Sequence, residues 1–335
     1  GEIKEGINIL FTEIERVKQN GFTPKELEIE KEKEILSHEQ AIKEKKTRTN
    51  DSIVTEYTRN FLENEFVSGE EREYELMKQL LPTISVNDLN NHFLNWLRYD
   101  DRIINIKYPE KIKNIISKDE LLNLETKIQK NKLSQFASLV KDQPLLEKKL
   151  PGSKIIFTKN YPSINTREFR LENGVQVFLK PTKNKEKSFS FEATSMGGYS
   201  HANLTTLPSA KITEHLIAES GLGDFSRVEL VNKVDPSFVK VEVWIEPYQE
   251  GLNGEAITKY TKELFELIYL NFTSVNFNET GLDNSKSILR ERVRNENLNP
   301  SRVFIKKVFH AYYQDHPRRQ PWNLDLIDQI KLDKV

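Results

Sequence analysis

The sequence predicts an α+β protein in which an antiparallel-rich sheet is packed with helices. Three observations carry this. Apolar residues recur at helical steps in the first segment, helix-capping signatures recur along the chain, and alternating stretches bounded by glycine follow residue 168. With 335 residues, 37% of them hydrophobic and 30% charged, the chain is long enough for two domains.

The elements follow in order. Ile3, Ile7, Leu10, Ile14 and Val17 form the apolar stripe of an amphipathic helix, which Gly21 stops. In "TPKE", Thr23 is an N-cap, Pro24 occupies the first helical position and Glu26 completes a capping box, opening a charged helix that runs to about Lys46. Ser85 with Asp88 and Ser117 with Glu120 mark two further helix starts. Between them "RIINIKYP" (102–109) alternates weakly and is expected to be a short strand. Residues 1–139 are therefore read as the helical C-terminal part of one domain. Residues 140–168 have several prolines and no helical period, and are read as an extended inter-domain linker. Residues 169–335 are read as a second, α+β domain. In it "FRLENGVQVFL" is a hairpin whose Asn173-Gly174 suggests a type I′ turn. "KSFSFEATSMGG" is a strand ended by Gly197-Gly198, and a helix spans Pro208 to Ser220. Ser226 and Glu229 cap a short helix, and "SFVKVEVWIEP" (237–247) is the clearest strand. Two or three helices are expected from about 254 to 313, with another beginning near the end. An opening in mid-helix and a stop soon after a helix start suggest a piece truncated at both ends.

The bulk numbers exclude several classes. A formal net charge of −1 with interleaved signs gives no basic stripe for nucleic acid. No apolar run approaches the ~20 residues that span a bilayer. The absence of cysteine excludes disulfides, Cys-ligated zinc and a thiol nucleophile, while leaving the compartment open.

The segment closest to carrying chemistry is "KITEHLIAESG" (211–221). Its Lys-x-x-Glu-His is one residue away from the His-x-x-Glu-His of inverted zinc peptidases. Helical spacing puts Lys211 one turn from His215 on one face, with Glu214 beside it. In a working site two histidines hold zinc, a glutamate acts as base and a third, carboxylate ligand completes the set. Glu291 in "ILRERVRNE" is the candidate carboxylate. Lys211 rules against the metal, because an ammonium repels the ion it would have to bind. The bland reading makes His215 a partly buried helix histidine and Glu214 a solvated glutamate. His38, His92, His201, His310 and His316 form no metal-spaced pair. "SGLGDFS" (220–226) lacks the feeding strand of a phosphate loop, and "HPRRQPW" is expected to pack locally through Trp322. On its residues alone the chain has no catalytic constellation.

The order of its segments resembles the pitrilysin/insulinase family of zinc metallopeptidases, in particular the large bacterial members. "FTEIERVKQNGFTPKELEIEKEKEILSHEQ" is similar to a helix pair late in the second of that family's four homologous domains, and "EYTRNFLENEFVSGEEREYELMKQLLPTIS" to the family segment next after that pair. "FRLENGVQVFLKPT" resembles the strand pair that opens each domain. "SMGGYSHA", "SGLGDFSRVEL" and "NPSRVFIKKVFHAYYQDHPRRQPW" match the third-domain pattern. The resemblance covers nearly all of the chain and rests on the order of these segments rather than on any one of them.

The resemblance implies metallopeptidase-like α/β sandwich domains and a parent that is a zinc-dependent endopeptidase enclosing peptides between two halves. Zinc would be bound outside this chain, in the first domain, so no catalytic, cofactor-binding or metal residue is carried over. The implied partners are the remaining domains, the first and the fourth, and peptide substrates. Export to the periplasm is favoured over the cytoplasm. Two other readings stand beside it: an inactive family member acting as a structural or binding partner, and an unrelated α+β interaction module.

Overall fold

The computed structural model describes residues 3–97, 103–108, 116–136, 143–183, 187–234 and 239–335. The chain divides into two compact units, Gly1–Ser138 and Leu139–Val335.

The first unit is helical. Helix α1 (Ile3–Asn20) ends at Gly21, whose φ of +71° only glycine adopts without strain. Asn90 packs against this glycine and accepts the Phe22 N–H at 2.8 Å. Helix α2 (Pro24–Glu44) carries the expected box, with Thr23 and Glu26 exchanging bonds. Helices α3 (Asn50–Glu63) and α4 (Glu70–Leu80) follow, and Arg48 reaches Glu56 at 2.6 Å and Glu70 at 2.8 Å between them. Helices α5 (Val86–Trp96) and α6 (Lys118–Gln129) open on the two remaining boxes. Residues 103–108, expected as a strand, form none: their weak alternation finds no partner strand among the described residues. Large apolar side chains stay uncovered in this unit, Phe61 at 85% and Phe66 at 83% exposure among them.

The second unit begins with an antiparallel sheet of β1 (Ile155–Tyr161), β2 (Thr166–Leu171) and β3 (Gln176–Leu179), in that order. Strand β1 lies inside the span read from sequence as an extended linker, which is therefore corrected: "IIFTKNY" is paired along its length with β2. The β2–β3 turn is also not type I′. Gly174 has φ +89° while Asn173 stays at negative φ, and the Gly174 N–H donates to Leu171 O. This is a three-residue loop in which glycine takes the left-handed place after an ordinary turn. Within this sheet Glu168, 2% exposed, accepts from Tyr161 Oη at 2.7 Å, Arg170 Nε at 2.9 Å and Gln176 Nε2 at 2.7 Å. Those three donors hold its carboxyl down to about 2.

The second sheet has the order β4 (Ser188–Met196), β7 (Gln249–Ile257), β6 (Lys240–Ile245), all antiparallel. Its central strand β7 departs from the sequence pattern, which assigns residues from about 254 to helix. "QEGLNGEAI" has two glycines and no β-branched residue before Ile257, so its propensity is poor. The neighbours explain the composition. A Cβ on Gly251 would lie 2.1 Å from Ala193 O and 2.5 Å from the Trp244 ring.

Helix α7 (Leu207–Glu219), the short strand β5 (Gly221–Leu222) and helix α8 (Arg227–Val234) follow β4 in the chain. Helix α9 (Thr261–Thr273), strand β8 (Val275–Asn276), helices α10 (Glu279–Glu296) and α11 (Pro300–Tyr313) and the short α12 (Leu324–Asp328) complete the unit. One apolar cluster joins Leu264, Leu267 and Ile268 of α9 to Ala256 and Val239, with Leu145 added from the start of the unit. A second joins Ile212 and Leu216 of α7 to Leu282, Leu289 and Val293 of α10 and to Ile327 and Ile330. Helix α7 is thus fixed in phase by the second cluster, and its polar positions are not free to turn.

Candidate functional site on helix α7

The chain enters α7 through a turn in which Asn203 Oδ1 accepts the N–H groups of Thr205 and Thr206, each at 3.0 Å. Pro208 then sits in the first helical turn. Leu207, Ser209, Ile212 and Leu216 are buried, and this leaves Lys211, Glu214 and His215 on the remaining arc.

Lys211 does not point toward a ligand position. Its Nζ donates to Gln320 O at 2.9 Å and lies 4.8 Å from the centre of the Trp322 ring. Burial pushes its pKa below the ordinary lysine value of 10.5. Trp322 packs on the α7–α10 apolar cluster, so Lys211 ties the 316–322 loop to the helix. Glu214 is engaged too. Its Oε2 accepts the backbone N–H of Ile245 at 3.1 Å, and its Oε1 is 3.7 Å from His215 Nδ1.

Glu291 is not brought to this group. Helix α10 buries Leu282, Ser285, Leu289 and Val293, with Ser285 Oγ 3.5 Å from His215 O. Glu291 is two residues from both Leu289 and Val293, about 200° around the helix from either. It is 62% exposed and pairs with Arg294. Among the described residues no group of three or more His, Cys, Asp and Glu side chains is arranged to hold a metal ion. Lys211, Glu214, His215 and Glu291 therefore do not fit zinc: one would-be ligand is a cation bound elsewhere, and another is on the wrong side of its helix. The Glu291 placement could have been read in the sequence, because the stripe Leu282, Leu289, Val293 already fixes the inward face of α10.

The structure does bring together something that sequence reasoning missed. Among the described residues strand β6 is an edge strand, paired with β7 alone. Its Ile245 N–H faces outward to Glu214, so the N–H groups of Val243 and Val241, two and four residues back, project to the same side. That side opens on a groove of about 540 Å³ whose lining includes Ala218, Arg227, Val231, Val241 and Val243, with Glu214 and His215 among its walls. It is a groove of mixed aliphatic and charged lining beside a strand edge with outward backbone N–H groups. Finding it from sequence required knowing that β7 is central and β6 peripheral.

No family model matches the chain. Over 216 residues it is 26% identical to a zinc protease PQQL-like protein of Arabidopsis thaliana, which covers 62% of this chain and 22% of that protein. Over 315 residues it is 19% identical to the probable zinc protease PqqL of Escherichia coli, covering 93% of this chain and 34% of that protein. The chain thus spans about a fifth to a third of the length of these relatives. Among solved structures, the periplasmic protease PqqL of Escherichia coli aligns with 99% of the chain and 37% of its own, at TM-score 0.51 and 18% identity. The ferredoxin protease FusC, solved in complex with Arabidopsis ferredoxin, aligns over the same shares at TM-score 0.53 and 18% identity. These two structures show the fold.

Proposed function

We propose, for a chain whose relatives are zinc proteases of the pitrilysin/insulinase family, that it is a non-catalytic segment of a zinc metalloendopeptidase. In this reading it forms part of the wall around the peptide and the connection between halves of the parent. The observation that carries the reading is the engagement of Lys211. Where a metal helix needs its first imidazole, this helix has an ammonium spent on Gln320 O and Trp322. The apolar side chains left uncovered in the first unit are in keeping with a segment that meets further protein, namely the first and fourth domains. The periplasmic location stated for the Escherichia coli protein supports an exported parent. No helix of the described residues is long and apolar enough to cross a membrane.

Metal analysis of the purified chain, combined with a quenched-fluorescence peptide assay, tests this. The expected outcome is substoichiometric zinc and no cleavage; one tightly held zinc per chain overturns it.

Peptide contact is assigned to the groove beside β6, through main-chain pairing with the outward N–H groups of Val241 and Val243. Val243→Pro removes an outward N–H without breaking a bond to β7, a substitution edge strands tolerate. Photo-cross-linking of an extended peptide to the chain should fall several-fold in this variant with the fold intact by circular dichroism. Unchanged cross-linking removes the groove from the proposal.

A further inference from the structure

Three asparagines of this chain precede glycine: Asn20, Asn173 and Asn253. Such pairs share one intrinsic reactivity, because glycine presents no side chain against attack of its own nitrogen on the preceding amide. The fold treats the three differently. We propose that Asn173 is a self-modifying site, where the side-chain amide is lost to give aspartate and isoaspartate, whereas Asn20 and Asn253 keep theirs.

The reaction needs only water. The Gly174 nitrogen gives up its proton and bonds to Asn173 Cγ; the Cγ–Nδ2 bond breaks and ammonia leaves. Water then opens the five-membered imide at either carbonyl, so the balance is amide plus water to carboxylic acid plus ammonia. Opening at one carbonyl leaves an ordinary aspartate, and opening at the other routes the main chain through the side-chain carbon.

The turn is arranged for the first step. Residues 172–175 are all exposed, and a Cβ added at Gly174 would meet nothing within 4 Å apart from its chain neighbours, so no other part of the fold crowds the turn. Asn173 Oδ1 accepts the Val175 N–H at 3.2 Å. That bond turns the side chain forward along the main chain past Gly174 and draws electron density from Cγ, and it stays in place as negative charge grows on the oxygen. The opposing feature is the Gly174 N–H bond to Leu171 O, 3.0 Å across the turn. A single solvent-exposed turn bond opens at little cost.

The other two pairs are held shut. The Gly21 nitrogen closes the C-terminus of α1 on Val17 O at 2.7 Å, and Asn20 Nδ2, the leaving group, donates to Arg16 O and Leu133 O. Asn253 and Gly254 lie in β7 with a strand on each side, and Trp244 Nε1 donates to Asn253 Oδ1. Reaction at either position requires an element to open first.

The consequence is local. Glu172 N–H donates to Lys154 O and Asn173 N–H to Ser153 Oγ, so the turn anchors the chain that leads into β1. An extra main-chain carbon at 173 displaces both.

The experiment is peptide mapping of the native chain after incubation at mildly alkaline pH. Trypsin places the three asparagines in 19–25, 171–183 and 241–259, each with no other asparagine. Amide-to-acid mass gain and isoaspartate-specific enzymatic methylation are read for each peptide. Asn173 is expected to convert at least about tenfold faster than the other two, the spread that differential local opening gives. In denaturant the three rates should converge to within a few-fold. Equal rates in the native chain overturn the proposal. So does an Asn173 that persists natively while the denatured chain converts.

Discussion

Lys211 shows how one residue decides a reading that its neighbours leave open. The helical period places it beside Glu214 and His215, and this is visible in the sequence because it depends on spacing alone. Its partners, Gln320 O and Trp322, come from a loop over a hundred residues away, and no local pattern announces them. Lys211→Met keeps the buried stem and removes the donor, so unfolding in urea should show a loss of about 1–2 kcal/mol. The pH dependence of that gap has a definite sign. Because burial lowers the pKa from 10.5, the unfolded chain holds the lysine proton more tightly than the folded one. The folded state therefore gains stability as pH rises toward 10.5, and wild type should gain on the methionine variant over that window. A gap that narrows with rising pH contradicts the burial of this ammonium.

At the scale of elements, legibility followed locality. Helix starts at Thr23, Ser85, Ser117 and Ser226 were readable because a cap and its third-position carboxylate bond to each other within four residues. Strand β7 was not, because Gly251 is set by Ala193 and Trp244 on the flanking strands rather than by its own segment. The β1 strand does carry strand formers, Ile155, Ile156, Phe157, Thr158 and Tyr161, but its pairing with β2 is announced by no local pattern. Gly251→Val, conservative by strand propensity, is expected to cost roughly 3 kcal/mol or more through overpacking. Denaturant midpoints will report it; a loss under about 1 kcal/mol would mean that β4 and β6 can move apart to admit the side chain.

For the molecule as a whole, both apolar clusters of the second unit are drawn from residues of that unit alone. Residues 139–335 expressed by themselves should therefore unfold in one cooperative step, with circular dichroism and the fluorescence of Trp244 and Trp322 changing together. Separated transitions would show that the two clusters are not one folding unit. The packing of Lys211 has a last consequence at this scale. A helix and loop joined by an ion depend on the supply of that ion, and a chelator undoes the joint. Here the joining cation is covalently part of the helix and cannot be stripped or exchanged. The joint between this helix and its loop therefore survives a chelator.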